Sequence, residues 1–220
     1  MIISENEVLR YLGYRGAEAG AQVLNDIRSL SNELKDSIKP KNIYGIWECD
    51  VHQTCVKLAG MTINSKDLAE HLDGCRRAFL LAATLGVEAD ALIRRYSVLD
   101  MGKTLIAQAI CTAMIEDYCN QIENEIIEKP EFAGAGFAVR FSPGYGDFDI
   151  AHQKDILRIL DCAKRIGLSM TGEYMLVPSK SITAVMGLVK EKKCAKEKCG
   201  QCHFSHRCRF SHCNFKEEPQ

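Results

Sequence analysis

Apolar positions fall into two kinds of pattern along the chain, and the pattern predicts most of its elements. Val23, Ile27, Leu30 and Leu34 recur at helical spacing within Glu18–Ile38, a stretch closed by Pro40. Glu5–Leu12 reads as a shorter helix ended by Gly13. Ile43–Leu58 is rich in β-branched and aromatic residues (Ile43, Tyr44, Ile46, Trp47, Val51, Val56), which predicts strands. Asn64 or Ser65 caps a short helix through Leu72. Ala78–Leu85 is a nearly unbroken apolar run of strand length, although periodicity alone does not separate a buried strand from a buried helix.

Glu88–Leu99 and Thr104–Ile127 predict two further helices, the second the longest element and ended by Pro130. Phe137–Phe141 predicts a strand, followed by the loop Ser142-Pro143-Gly144-Tyr145-Gly146. Asp149 is placed to cap a helix running to about Ile166. Met170–Val177 and Ile182–Val189 predict two strands joined through Pro178-Ser179-Lys180. Strand pairs mixed with long helices predict an α+β fold, a twisted antiparallel or mixed sheet flanked by helices, with a Cys-rich C-terminal tail.

The 220 residues suit one large domain with an appendage. A net charge of -1 gives no global attraction to nucleic acid or an anionic membrane. No run approaches the ~18 apolar residues of a membrane helix. The start, Met1-Ile-Ile-Ser-Glu-Asn-Glu, has no basic or apolar signal region, so a cytoplasmic location is expected. Charge is uneven, however. The stretch from Lys190 holds eight Lys/Arg and four Asp/Glu, so it carries +4 and the rest carries -5. That shift puts a boundary near residue 190, between a body over 1–190 and a tail over 191–220.

The 11 cysteines divide at the same place. Cys75, Cys111, Cys119 and Cys162 sit in apolar settings and read as small buried hydrophobes. Cys194, Cys199, Cys202, Cys208 and Cys213 are packed into the tail and read as metal ligands in a reducing compartment. A Cys-x2-Cys pair suits zinc, and four thiolates equally suit an iron–sulfur cluster. The spacing Cys194-x7-Cys202-x5-Cys208-x3-His212 also resembles a three-cysteine, one-histidine zinc finger that binds single-stranded RNA, and the repeat Cys202-His-Phe-Ser-His206 and Cys208-Arg-Phe-Ser-His212 adds aromatics among basic residues. A tail of only +4 is a weak nucleic-acid footprint, so RNA ranks below the other two readings.

Around the loop, Arg140 offers a planar fork for a carboxylate or phosphate, Gly144 lets a ligand approach the backbone, and a helix N-terminus follows. Four other signals carry less. Met101-Gly102-Lys103-Thr104 lacks the earlier glycine of a P-loop, since position 97 is Ser97. Gly134-Ala-Gly136 lacks a third glycine and precedes a strand. His52 and His71 read as structural or solvated, and Glu123, Glu125 and Glu128 as a wet helix face.

The order Arg140-x-x-x-Gly144-Tyr145, a helix over Ile156–Ile166, Leu168-Ser-Met-Thr171-Gly-Glu-Tyr174, Pro178-Ser179-Lys180-Ser181 and Ile182–Leu188 resembles the activation domain of cobalamin-dependent methionine synthase. Arg77-Ala-Phe-Leu-Leu-Ala-Ala-Thr84-Leu-Gly86, the long helix after Asp100, and the opening Val8-Leu-Arg-Tyr11-Leu-Gly13-Tyr14 are similar to it too, the last to its free-standing, single-domain members. The likeness spans roughly residues 5 to 190. It implies a twisted antiparallel sheet with helices and a site for S-adenosylmethionine. It also implies a role in reductive remethylation of cob(II)alamin, with flavodoxin or ferredoxin as electron donor. By motif position, Arg140 would hold the ligand carboxylate, backbone near Ser142 would meet the adenosyl part, and Tyr145 would face the corrinoid. Gly146-Asp147-Phe148-Asp149 stands where full-length enzymes have Pro-Ala-Cys-Pro. Asp50-Val-His52 lacks the corrinoid-binding glycine, with Cys55 at that place, so the cobalamin would sit on a separate methionine synthase or corrinoid protein. The rival expectations are a non-enzymatic metal-tail module that contacts RNA or protein, and an iron–sulfur electron carrier for another corrinoid pathway.

Overall fold

The computed structural model describes residues 3–14 and 18–189, so the five tail cysteines lie outside the described residues. At its centre is the strand β4 (Arg77–Thr84). Phe79, Leu81 and Ala83 enter one core, while Ala78, Leu80 and Ala82 enter another. With both faces of the sheet covered, the polar half of the usual strand alternation is lost, which is why Ala78–Leu85 reads as one apolar run. Each large side chain buried here contributes roughly 1.5–3 kcal/mol.

β1 (Lys41–His52) and β8 (Ser181–Val189) flank β4, with Lys41 opposite Thr84 and Leu188 opposite Arg77. β2 (Cys55–Leu58) and β3 (Met61–Asn64) extend the sheet as a hairpin on one side, and β5 (Gly136–Phe137) forms the other edge. The order is β3-β2-β1-β4-β8-β5. Every pairing is antiparallel, which settles the choice between an antiparallel and a mixed sheet. The fold is α+β.

Four helices cover one face. α1 (Glu5–Tyr11), α2 (Ala21–Ser37), α4 (Val87–Leu99) and α5 (Met101–Ile127) bury Val8, Ile27, Leu30, Leu92, Ile110 and Ile122 against β4 and β8. α3 (Lys66–His71), α6 (His152–Ile159) and α7 (Cys162–Ile166) cover the other with the β2–β3 hairpin. Asp100 accepts from Lys103 N–H at 3.1 Å, so the Gly102-Lys103-Thr104 stretch is simply the first turn of a capped helix. Ser65 caps α3 through Leu68 N–H at 2.9 Å. Cys75, Cys111, Cys119 and Cys162 are buried free thiols, as their apolar settings predicted. Among the described residues no helix is long and apolar enough to cross a membrane.

Four elements differ from the sequence expectation. β3 is an additional short strand. The helix expected to run to Ile166 breaks at Asp161, which takes a left-handed conformation (φ 51°) between α6 and α7. Met170–Val177 is not one strand but a small separate hairpin, β6 (Ser169–Met170) and β7 (Leu176–Val177). The Phe137–Phe141 strand is interrupted, in a way that matters for the site.

The turn between β2 and β3 is two residues, Ala59 (φ 51°) and Gly60 (φ 80°), the geometry of a primed hairpin turn. An alanine there carries the steric cost of the left-handed region. Ala59→Gly is expected to raise stability by about 1 kcal/mol, read as a higher denaturation midpoint. An unchanged or lower midpoint would show that the turn is not under strain.

Candidate functional site

The edge strand carries a bulge. Ala138 donates to the Gly187 carbonyl at 2.9 Å, and Phe141 exchanges both backbone hydrogen bonds with Val185. Two residues, Val139 and Arg140, therefore stand opposite the single residue Met186. Such an extra residue breaks the ladder and re-aims side chains. Phe137 packs against the helical face, and Phe141, four residues on, packs against the opposite core. The Val139 carbonyl, freed from the ladder, accepts a hydrogen bond from His71 Nε2.

The bulge sends Arg140 toward α5. Its Nη1 donates to Glu123, and its Nη2 donates to Glu116 at 2.9 Å and to Asn120 at 3.2 Å. The three partners occupy positions i, i+4 and i+7 of one helix face. The guanidinium side chain is only 7% exposed, Glu123 is 15% exposed, and Glu116 is 42% exposed. Burial opposes the cation, but the fields of Glu123 and Glu116 outweigh it and raise the Arg140 pKa. Glu123 is thus not part of a wet helix face. The charge pattern of a helix does not reveal what the fold lays opposite it, and a bulged arginine lies opposite this one.

α1 closes the same corner. Tyr11 is pushed up to about 12, first by burial and then by the Glu116 carboxylate nearby. Arg10 lies over the Tyr11 ring at 4.2 Å.

The loop after Arg140 is held from below. Gly144 (φ 93°) donates to the Phe148 carbonyl at 2.7 Å, and Tyr145 donates to Ser142 at 3.2 Å. Asp147 accepts from Lys66 N–H at 2.8 Å, from Asp67 N–H at 3.1 Å, and from the Ser65 hydroxyl. Hydrogen bonding from Ser65, ahead of those backbone donors, holds the Asp147 carboxyl below its ordinary value. Asp67 in return accepts from Asp147 N–H at 3.1 Å. The segment Gly146-Asp147-Phe148-Asp149 is therefore a clamp onto the start of α3. Phe148 stacks on Phe141 at 6.2 Å, and His71 packs on Phe141 at 5.0 Å. Above the clamp Gly144 is exposed, Ser142 is half-buried, and Tyr145 presents a 58% exposed ring.

His71 is structural. Burial pushes its pKa below 6.5, and the hydrogen bond to Val139 only partly offsets that. The unfolded chain therefore takes up the proton first, so the stabilising effect is complete above pH 6.5 and is lost as pH falls below it. The denaturation midpoint of the wild type is expected to drop between pH 7 and 5.5 more steeply than that of His71→Gln. Parallel profiles would refute this. His52 is by contrast exposed beside Asp50.

A cleft of about 770 Å³ lies elsewhere, lined by Glu48, Asp50, Lys57, Met61, Arg76 and Arg77 among others. It shares no residue with the Arg140 corner, and its lining charges of both signs do not converge on a buried polar group. Ser142, Gly144 and Tyr145 follow Arg140 closely in the chain, but the Arg140 side chain turns to α5 while their loop is pinned to α3 against the opposite core. Glu116, Asn120 and Glu123 meet Arg140 from α5 and were not legible as site residues. No group of three or more potential metal ligands occurs among the described residues.

No family model and no curated protein sequence matches this chain. Its fold is similar to solved structures. One is the crystal structure of the MetH reactivation domain bound to AdoHcy, with a TM-score of 0.61 and 13% sequence identity. The match covers 87% of this chain and 78% of that one. At that identity the likeness establishes the shared fold.

Proposed function

We propose that this chain binds S-adenosylmethionine at the Arg140–Tyr145 loop and serves the reductive remethylation of cob(II)alamin on a separate cobalamin-dependent methionine synthase or related corrinoid protein. The observation that carries this reading is the setting of Arg140. It is a buried guanidinium framed by two carboxylates of α5, followed a few residues on by an exposed glycine–tyrosine turn, in the fold of a domain that was solved with AdoHcy bound.

The ligand's chemistry fits this frame. S-adenosylmethionine ends in a free α-amino acid and carries a sulfonium charge. A planar guanidinium suits its carboxylate, and a corner with a net negative charge suits its cations. Gly144 and the backbone near Ser142 offer a surface without bulk for the adenosyl part. Tyr145 faces outward, where a partner's corrinoid would dock. That corrinoid would supply the methyl-accepting centre, with an electron from flavodoxin or ferredoxin. In the tail, Cys194, Cys199, Cys202, Cys208 and Cys213 would hold zinc or an iron–sulfur cluster, and metal analysis with a visible spectrum of the full chain decides between them.

The test is a calorimetric titration of S-adenosylmethionine into the full chain. Saturable binding is the expected result. No heat of binding at millimolar ligand would overturn the reading and leave the tail as the guide to function, with RNA or a protein as the partner to try.

A further inference from the structure

Arg140 has no room for a ligand as it stands. Its side chain is 7% exposed, and both terminal nitrogens are engaged. A ligand carboxylate reaches the guanidinium only if one carboxylate of α5 withdraws. The two are not equivalent. Glu123 is 15% exposed, so leaving its partner would strand a charge with little access to water. Glu116 is 42% exposed and can turn outward at small cost. Asn120, between them, accepts from Arg140 at 3.2 Å and keeps the fork oriented while Glu116 moves.

Displacing Glu116 has a consequence for which ligands bind. A simple carboxylate would enter a corner that still holds two glutamates and would leave Glu116 without a cation. A ligand with an ammonium on the carbon next to its carboxylate returns a cation to Glu116 as it takes Arg140. We infer that Glu116 exchanges partners on binding, from Arg140 to the ligand's α-ammonium, and thereby makes the site select free α-amino acids over plain carboxylates. Glu123 is then the positioning residue that keeps Arg140 in place throughout. This rests on the ligand reading given above and assigns the discriminating step within that site to one side chain.

The experiment uses S-adenosylhomocysteine and its desamino counterpart, titrated into the full wild-type chain and into Glu116→Gln. Glutamine keeps the shape and loses the charge, and at a 42% exposed position it leaves the fold intact. Wild type is expected to prefer the amino compound by about tenfold or more. In Glu116→Gln that preference should collapse toward unity, with binding of the desamino compound unchanged or tighter. If wild type binds the amino compound and the preference survives in Glu116→Gln, the partner exchange is wrong while the ligand reading stands. Equal tightening of both compounds also overturns it, since Glu116 would then be only a competitor for Arg140. If wild type binds neither compound, the ligand reading itself fails, and the inference fails with it.

Discussion

Arg140→Ala is expected to abolish S-adenosylmethionine binding and to lower stability by about 3 kcal/mol. The two effects have one cause. The guanidinium stands between Glu123 and Glu116, and without it two carboxylates of one helix face lose their common cation. Breaking a buried ion pair costs more than the pair contributes, because the remaining charge is left unpaired away from water. The expected figure is at the low end of that range because only Glu123 is well buried, and Glu116 can relax into solvent. Chemical denaturation measures the loss. Adding Glu123→Gln to Arg140→Ala should recover a large part of the stability and none of the binding. A stability change under about 1 kcal/mol would show that Arg140 is not seated as described. Arg140→Lys should fall between, since an ammonium keeps the charge but not the fork that serves two helix partners at once.

Gly187→Ala is expected to destabilise by about 1–3 kcal/mol through overpacking. Gly187 lies in β8, and a Cβ there would sit 2.5 Å from Cys75 Sγ and 2.8 Å from Leu72 Cδ2. Both neighbours belong to the segment just after α3 and are buried, so neither moves freely. Pushing α3 from the sheet would disturb two supports of the loop, the Asp147 clamp at one end of that helix and the His71 contact at the other. Weaker ligand binding should therefore accompany the lower midpoint. Cys75→Ala removes the nearest obstructing atom. The double variant should be more stable than the sum of the two single losses predicts, a coupling that a double-mutant cycle measures directly. Additive losses would mean that the strain lies elsewhere.

What the sequence disclosed followed from burial and periodicity. β4 was legible because both its faces are buried, and α2 and α5 because their apolar spacing is regular over many turns. The loop residues Arg140, Ser142, Gly144 and Tyr145 were legible because they are close in sequence. Glu116 and Glu123 were not, since their role depends on an arginine that reaches them from a different element. The bulge left no composition signal, because neither Val139 nor Arg140 is a glycine. The break at Asp161 was hidden for a related reason. A left-handed aspartate inside an otherwise helical pattern interrupts it without a proline or glycine to announce it.

The bulge has one more effect, on how the sheet ends. A flat outer strand offers a row of N–H and C=O groups that a foreign strand can pair with, and many proteins guard such rows. Among the described residues only Gly136 and Phe137 lie in regular register at that border. Beyond them Val139 and Arg140 are turned out of line, with the Val139 carbonyl taken up by His71. The same kink that aims the arginine thus leaves this border too short to template a neighbour, and it guards the molecule against strand-to-strand aggregation on that side.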